Sequence, residues 1–540
     1  MTSVLILALL LAQQTAPPEK ATLSGTVVDS ITGLPLGKAS VIARHVSGQD
    51  PGASTTTDAR GNFLLVDIDA GQYRLAVRRN GYLDTYFGAK QVGDGFGSTI
   101  TLTSGQRLQG LQVKLMPFGV IAGTVRDADG EPVAGAAVEI YASSYQAGRR
   151  RIQSISGPIT TDDLGQYHMV AIPPGRYYAS ARMRRGYGDE VTVDHSAKSK
   201  TLPEIPVTTF YPGTLDPSGA RAIDVAPGGR ATGIDIAIIR SPLYKVSVHV
   251  DAPTGFRGGA ALQYAIEGFG WIGNSRNINP QDVEINGVPP GSYILRFGAS
   301  MPQKPIDGAD DGVPDGCGSS TPLTVKQGDV EGPRVALGRC AELIGHVTRD
   351  DGKPLRRDGV SGFVGYDGSG DNRVIRDDNT FRLTVSAGSH TLDFSNMIKA
   401  NGLYIKSVRS GNQDFLRNVI ILADSEHLDL EVVLAADGGS VDGIVTDSDS
   451  KPVPGARVVL ISNETALRSR PDYTPSVTAN EAGHFEIKNV APGDYKLFAW
   501  EDIERDSWFD PDVLKDFEAR GQAVSVKAKD NQTANLTVLR

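Results

Sequence analysis

Hydrophobic and polar residues alternate in short runs along most of this chain, and the runs are cut by Gly, Pro, Asp and Asn. A period of two interrupted by turn residues predicts half-buried β-strands joined by hairpins. The runs themselves repeat. One copy reads Gly25-Thr26-Val27-Val28-Asp29, Gly33-Leu34-Pro35-Leu36, Ala39-Ser40-Val41, Thr57-Asp58-Ala59-Arg60-Gly61-Asn62-Phe63 and Ala70-Gly71-Gln72-Tyr73-Arg74-Leu75. A second passes through Gly123-Thr124-Val125, Gly130-Glu131-Pro132-Val133 and Thr161-Asp162-Asp163-Leu164-Gly165-Gln166-Tyr167 to Pro174-Gly175-Arg176-Tyr177. The last starts at Gly443-Ile444-Val445-Thr446-Asp447 and closes on Pro492-Gly493-Asp494-Tyr495. Self-similarity at a period of roughly 100 residues marks a tandem array of small units.

Each phrase has a local structural meaning. Gly-Thr-Val-x-Asp reads as a first strand, and Thr-Asp-x-x-Gly-x-aromatic as a hairpin turn in which Gly61, Gly165 and Gly483 take φ > 0. The Tyr after each Pro-Gly or Ala-Gly turn belongs in a core with its hydroxyl near the rim. Alternating segments at 111–115 and 234–238 close the first two units, so each is an antiparallel β-sandwich. The middle copies are worn, keeping Val288-Pro289-Pro290-Gly291-Ser292-Tyr293 in one and Gly345-His346-Val347 in the other. Spacing places β-sandwiches at 20–117, 118–241, 242–339, 340–437 and 438–540. Leu115-Met116-Pro117-Phe118 and the stretch 434–439 join neighbours without a Ser/Gly tract, which predicts an extended, semi-rigid rod. One short helix is expected, in the last sandwich. Asp510 is its N-cap, Pro511 stands at N1, the end falls near Gly521, and Val513, Leu514 and Phe517 share the docking face.

Charge and the N-terminus narrow the class. A net charge of −9 argues against nucleic acid, whose binding needs a concentrated basic surface. Within 1–19, the apolar run Val4 to Ala12 is too short to span a bilayer but has the length of a secretory signal core, although no Lys or Arg precedes it. The expectation is an exported protein, periplasmic, on the outer cell surface or secreted, with no membrane-spanning segment in the mature chain. Its two cysteines, Cys317 and Cys340, are then expected to form a disulfide that contributes roughly 3 kcal/mol.

Motifs of catalysis and metal binding are missing. None of the eight histidines opens a His-x-x-Glu pair, and neither His-Glu-x-x-His nor Gly-x-Ser-x-Gly occurs. No catalytic, metal or cofactor set is expected. The acidic loop Asp307 to Gly316 has oxygens of the kind Ca²⁺ takes but not their ordered spacing, and reads as a solvated loop. Arg149-Arg150-Arg151 with Arg182, Arg184 and Arg185 reads as a solvated basic face. Trp500 and Trp508 are expected to pack against the short helix. Sugar rings stack on exposed aromatics, which makes Phe210 and Tyr211, equivalent to Tyr86 and Phe87, and Trp271 in the Phe269-Gly270-Trp271 loop the candidate glycan contacts.

The repeated phrases resemble the carboxypeptidase regulatory-like modules, also described as transthyretin-like or prealbumin-like sandwiches, which occur in tandem in many exported bacterial proteins. Gly443 to Leu497 is the nearest match, and the segments around Gly25 and Gly123 are similar to it. The resemblance implies an all-β array of about five Ig-like/prealbumin-like sandwiches, secretion, and a non-catalytic accessory role, sometimes beside a peptidase or an outer-membrane receptor. The resulting expectation is a non-enzymatic exported binding or scaffold protein working by protein-protein adhesion on an envelope or extracellular protein. Binding of a polysaccharide through the loop aromatics is the alternative.

Overall fold

The alternation of the sequence becomes an alternation of burial. Along Asn62–Ile68, Phe63 and Leu65 enter the core while Leu64 and Val66 face outward, as the two-residue period of a strand requires, and an irregularity at Asp67, with φ 58°, returns Ile68 to the core. Gln166–Ile172 and His484–Val490, the matching strands of the other clear copies, behave alike. The structure is a computed structural model. It describes residues 19–46, 52–89, 97–146, 149–183, 203–251, 258–266, 269, 271–277, 282–299, 317–356, 363–366 and 372–540. These fall into two compact units, one ending at Pro117 and the other starting at Phe118.

The first unit is a single sandwich. One sheet sets Ala21–Asp29 between Asn62–Ile68 and Arg107–Leu115. The other runs Ala53–Thr56, Ser40–His45, Gly71–Arg78, Thr85–Tyr86, with Ile100–Leu102 also paired to Gly71–Arg78. In the second unit the same two-sheet plan recurs behind the opening strands Gly119–Arg126, Tyr244–Asp251 and Gly439–Thr446, each over its own buried cluster. The fourth sandwich departs from the plan. Its opening and closing strands, Ala341–Arg349 and His427–Ala435, lie inside one five-stranded sheet, and a three-stranded sheet, a two-stranded sheet and a helix make up the rest.

Two features correct the sequence reading. The sandwiches are not purely antiparallel, because the closing strand pairs parallel to the opening one: Arg107–Leu115 on Ala21–Asp29, His427–Ala435 on Ala341–Arg349, and shorter pieces in the others. Hairpin signals report antiparallel neighbours only. A parallel pair needs a long crossover, and here the rest of the sandwich is that crossover. Nor is the expected helix alone. Ser395–Asn401 lies in the fourth sandwich and Thr465–Arg468 in the fifth, besides Pro511–Leu514. Ser395–Asn401 has Phe394 at its N-cap, which makes no side-chain cap bond, and ends at Gly402 with φ 64°. The expected helix has Asp510 accepting from the Asp512 N–H, with Leu514 buried and Val513 and Phe517 packed around it.

Within the second unit, the hairpin of Ala137–Gln146 and Arg149–Ser154 reaches the fifth sandwich. Tyr145 donates to Asp510 at 3.2 Å and Arg150 pairs with Glu504 at 3.5 Å, a contact that end-to-end stacking of these sandwiches does not provide.

Candidate interaction surface

The polar residues of the repeat are occupied in holding their own turns. Asp58 accepts from the Arg60 and Asn62 N–H groups at 2.9 and 2.8 Å, Asp162 from Leu164 and Gln166 at 2.9 and 2.8 Å, and Asn480 from Ala482 and His484 at 3.0 and 2.9 Å. Such Asx bonds replace the backbone pairing that a turn gives up. Gly61, Gly165 and Gly483 follow at φ 74°, 69° and 71°. Buried Thr57 and Thr161 each donate to the preceding turn, at the Leu36 and Val133 carbonyls, and accept from the Ala39 and Ala136 N–H groups.

The recurring tyrosine is a latch. Tyr177, Tyr293 and Tyr495 donate to the carbonyls of Pro173, Pro289 and Ala491, four residues upstream, at 2.5, 2.8 and 2.7 Å. Each ring lies in a core, so its turn is tied to the sheet beneath. Burial favours the neutral phenol, pushing Tyr177 up to about 12 and Tyr293 and Tyr495 higher still. A raised phenol pKa stabilises the fold fully below the unfolded value near 10, and that contribution disappears as pH rises through the folded values. In a titration followed at the phenolate absorbance, exposed tyrosines should ionise near pH 10. These latches should stay neutral to about pH 12 and then ionise together with unfolding. Smooth titration of every tyrosine near 10 in the folded chain would contradict the latch.

The outer face of the second sheet is where one part of the second unit meets another. In the second sandwich this face carries Tyr141 directly opposite Tyr178, with Phe210 beside them. Phe269 of the third sandwich packs edge-on against all three, at ring-centroid distances of 5.2, 5.5 and 5.1 Å, and Tyr264 meets Phe210 at 5.1 Å. In the fifth sandwich the equivalent face consists of Val459, Ile461, Phe498 and Trp500. The segment 501–520 covers it through Ile503, Trp508 and Leu514. Lys496 stands on the same face, and Glu518 of the covering segment meets it at 2.8 Å.

These junctions revise the aromatic candidates. Phe210 is fully buried, so the expectation that it offers a ring to a sugar does not hold. The rings that cover it come from the next sandwich, which no local pattern reveals. Tyr211 is half-buried against the second core. Trp271 opens the strand Trp271–Asn277 instead of sitting in a loop, and its side chain lies outside the described residues. Tyr86 is half-buried and Phe87 buried. Arg150 stacks over Tyr145 at 4.4 Å as well as pairing with Glu504, while Arg184 and Arg185 lie outside the described residues. Trp500 on the sheet face and Trp508 in the segment that covers it are both core residues, as packing against the helix implies.

The model of the carboxypeptidase regulatory-like domain matches residues 22–115, 120–207 and 440–538, together more than half of the chain. The chain belongs to this family. No match was found among curated proteins. Among solved structures, the Bacillus anthracis TIE protein is 9% identical over 97% of this chain and 76% of its own, with a TM-score of 0.15. The Streptococcal ancillary pilin is 10% identical over 58% of this chain and 100% of its own, TM-score 0.17. The minor pilin GBS52 of Streptococcus agalactiae is 12% identical over 42% and 97%, TM-score 0.22. Likeness of this order carries no argument about function.

Between the matched carboxypeptidase regulatory-like modules lie the features that the repeat does not encode. Cys317 and Cys340 form a disulfide with Cα atoms 4.8 Å apart, tying the start of Ser319–Val325 to the segment entering Ala341–Arg349. The acidic stretch 307–316 lies outside the described residues. The segment between Arg457–Ser462 and Ser476–Thr478 pushes Leu467 and Tyr473 into the core of the fourth sandwich, where Tyr473 donates to the Ile405 carbonyl. Next to it Arg470 donates to both carboxylate oxygens of Asp472 at 2.9 and 2.7 Å, and the Asp472 side chain is 1% exposed. The matching connection is 18 residues from Ala39 to Thr57 in the first module and 25 from Ala136 to Thr161 in the second, so its length does not mark this segment and the repeat pattern holds no sign that it enters the neighbouring core.

Proposed function

We propose that this chain is a non-enzymatic, exported binding or scaffold protein that acts through protein-protein contact at or beyond the cell envelope. The observation that carries this reading is the pair of covered sheet faces. Both bury aromatic rings against further protein, the kind of chemistry that dominates protein recognition. Membership of a regulatory-like domain family supports a non-catalytic role, and a place beside a peptidase or an outer-membrane receptor is its narrower form. The apolar run from Val4 to Ala12 supports export, as does the disulfide between Cys317 and Cys340, a bond that persists in oxidising compartments. Protein contact is preferred to glycan binding because Phe210 is buried and Tyr211 half-covered.

Cross-linking in intact cells followed by mass spectrometry tests all parts at once. The expected outcome is a mature chain starting after Ala12 to Ala16, no alkylatable thiol at Cys317 or Cys340, and cross-links to one defined envelope or extracellular protein. A full-length cytoplasmic chain with two alkylated thiols would defeat the export reading. Retention on a purified polysaccharide, lost in Tyr211→Ala without a change in melting, would replace protein contact by glycan binding.

A further inference from the structure

The hairpin of Ala137–Gln146 and Arg149–Ser154 is longer than its sandwich requires. The matching strands of the first and fifth sandwiches, Ser40–His45 and Arg457–Ser462, have six residues each and pair along their whole length with the strand behind them. Ala137–Gln146 parts from its neighbour Gly175–Arg182 after Ala142, and Ser143, Ser144, Tyr145 and Gln146 pair with residues 149–152 of the returning strand. These residues form an arm. On it Tyr145 stands directly opposite Arg150, and the guanidinium stacks on the ring at 4.4 Å, which holds both in one orientation. The arm ends on the segment 501–520 that covers the fifth sandwich. One carboxylate oxygen of Asp510 accepts from the Asp512 N–H at 2.9 Å, capping Pro511–Leu514, and the other accepts from the Tyr145 hydroxyl at 3.2 Å. The Glu504 carbonyl accepts from the Ser507 N–H and hydroxyl at 3.1 and 2.7 Å, and its carboxylate meets Arg150 at 3.5 Å. Both residues that the arm grips are therefore residues that hold the turns of the covering segment.

We propose that this arm is a latch: by gripping Glu504 and Asp510 it keeps the segment 501–520 closed over the aromatic face of the fifth sandwich, and its release uncovers Val459, Ile461, Phe498 and Trp500. The cover itself is loosely built. Its helical pieces, Ser507–Phe509, Pro511–Leu514 and Glu518–Arg520, are three or four residues long, too short to stand without packing. Trp500 and Trp508 bury their indole N–H groups with no hydrogen-bond partner among the described residues, which a fully satisfied core avoids. The ends of the segment are tied to the fifth sandwich, Glu501 to Arg540 and Glu518 to Lys496, at 2.8 Å each. Between them the arm takes hold. The side chains of Arg150 and Glu504 are 47% and 43% exposed, so the grip is weak and sensitive to salt. Opening such a segment takes less free energy than unfolding the sandwich beneath it. The latch adds a switch to one of the two covered faces of the protein-contact reading, and it stands apart from that reading because uncovering is measured without a partner.

Hydrogen exchange of the full chain, read peptide by peptide by mass spectrometry, tests the latch, with acrylamide quenching of tryptophan as the second readout. Tyr145→Phe removes one hydroxyl and should speed exchange over 501–520 about threefold. Arg150→Glu sets two carboxylates together and should speed it about fivefold or more. Quenching should rise in both variants, over a background from Trp271 that all of them share. Raising the salt concentration should act on the wild type in the same direction. Gly175–Arg182 should exchange as in the wild type, which separates loss of the latch from damage to the second sandwich. Arg150→Glu combined with Glu504→Arg restores opposite charges and should recover protection. Unchanged exchange over 501–520 in both single variants would overturn the latch. Faster exchange there without added quenching would overturn the uncovering of the face. An equal rise along Gly175–Arg182 would show that the arm serves only its own sandwich, and would overturn the proposal as well.

Discussion

Asp472→Ala should destabilise the joint between the fourth and fifth sandwiches by about 3–5 kcal/mol, because it strands a guanidinium inside the protein. Arg470 is held by both carboxylate oxygens of Asp472 and by the Leu392 carbonyl at 3.3 Å. Its partner is almost wholly shielded from water. For a cooperative block of some 200 residues, each kcal/mol moves the melting temperature by roughly 2–4 °C, so a drop of about 10 °C is expected. The neighbouring pair of Arg417 and Glu464 is as short, at 2.7 Å, yet its side chains are 46% and 51% exposed. Glu464→Ala should therefore cost no more than about 1 kcal/mol. Replacing both members of the buried pair, Arg470→Met with Asp472→Leu, should recover most of the loss, since removing two charges together leaves none unpaired. Equal losses for Asp472→Ala and Glu464→Ala would show that burial does not control the joint.

The second large effect is expected at Gly443. A Cβ there would lie 1.9 Å from the Ala534 carbonyl oxygen and 2.7 Å from its carbon, both backbone atoms of the closing segment. The same approach occurs at Gly25, 2.1 Å from the Leu111 oxygen, and at Gly123, 2.0 Å from the Ile234 oxygen. The first glycine of the repeated phrase is thus required by the close pass of the closing strand over the opening one, and alanine forces the two apart. Gly443→Ala should cost about 3 kcal/mol. Gly483→Ala, at φ 71° with the Val445 oxygen 2.6 Å from its Cβ position, should cost about 2 kcal/mol. Gly130→Ala, at φ 83° with nothing within 4 Å, should cost about 1 kcal/mol through the backbone alone. Amide exchange along Gly439–Thr446 and Leu536–Thr537 would report the first loss directly. The reverse order, with Gly130 the most sensitive, would show that backbone conformation and not the close pass selects these glycines.

The sequence by itself determined the turns, the strands between them and the family. Those features rest on interactions a few residues long: an Asp or Asn bonded to N–H groups two and four residues on, a glycine at positive φ, a tyrosine tied to the carbonyl four residues back. A period of two then separates core residues from outward ones, which is why Tyr177, Phe485 and Leu497 were legible as core. The same period says only that Phe210, Tyr141 and Trp500 point outward from the second sheet; it does not say what lies beyond. Tertiary structure decided that. It buried Phe210 under rings more than fifty residues later in the chain, covered Trp500 with a helix, sent Tyr473 into the preceding core and brought Tyr145 to Asp510. It also placed each closing strand parallel to its opening strand across a whole sandwich of intervening chain. Turn formation is governed by backbone geometry within a few residues, whereas the covering of a sheet face depends on which distant surface is complementary to it, and that complementarity leaves no period in the sequence.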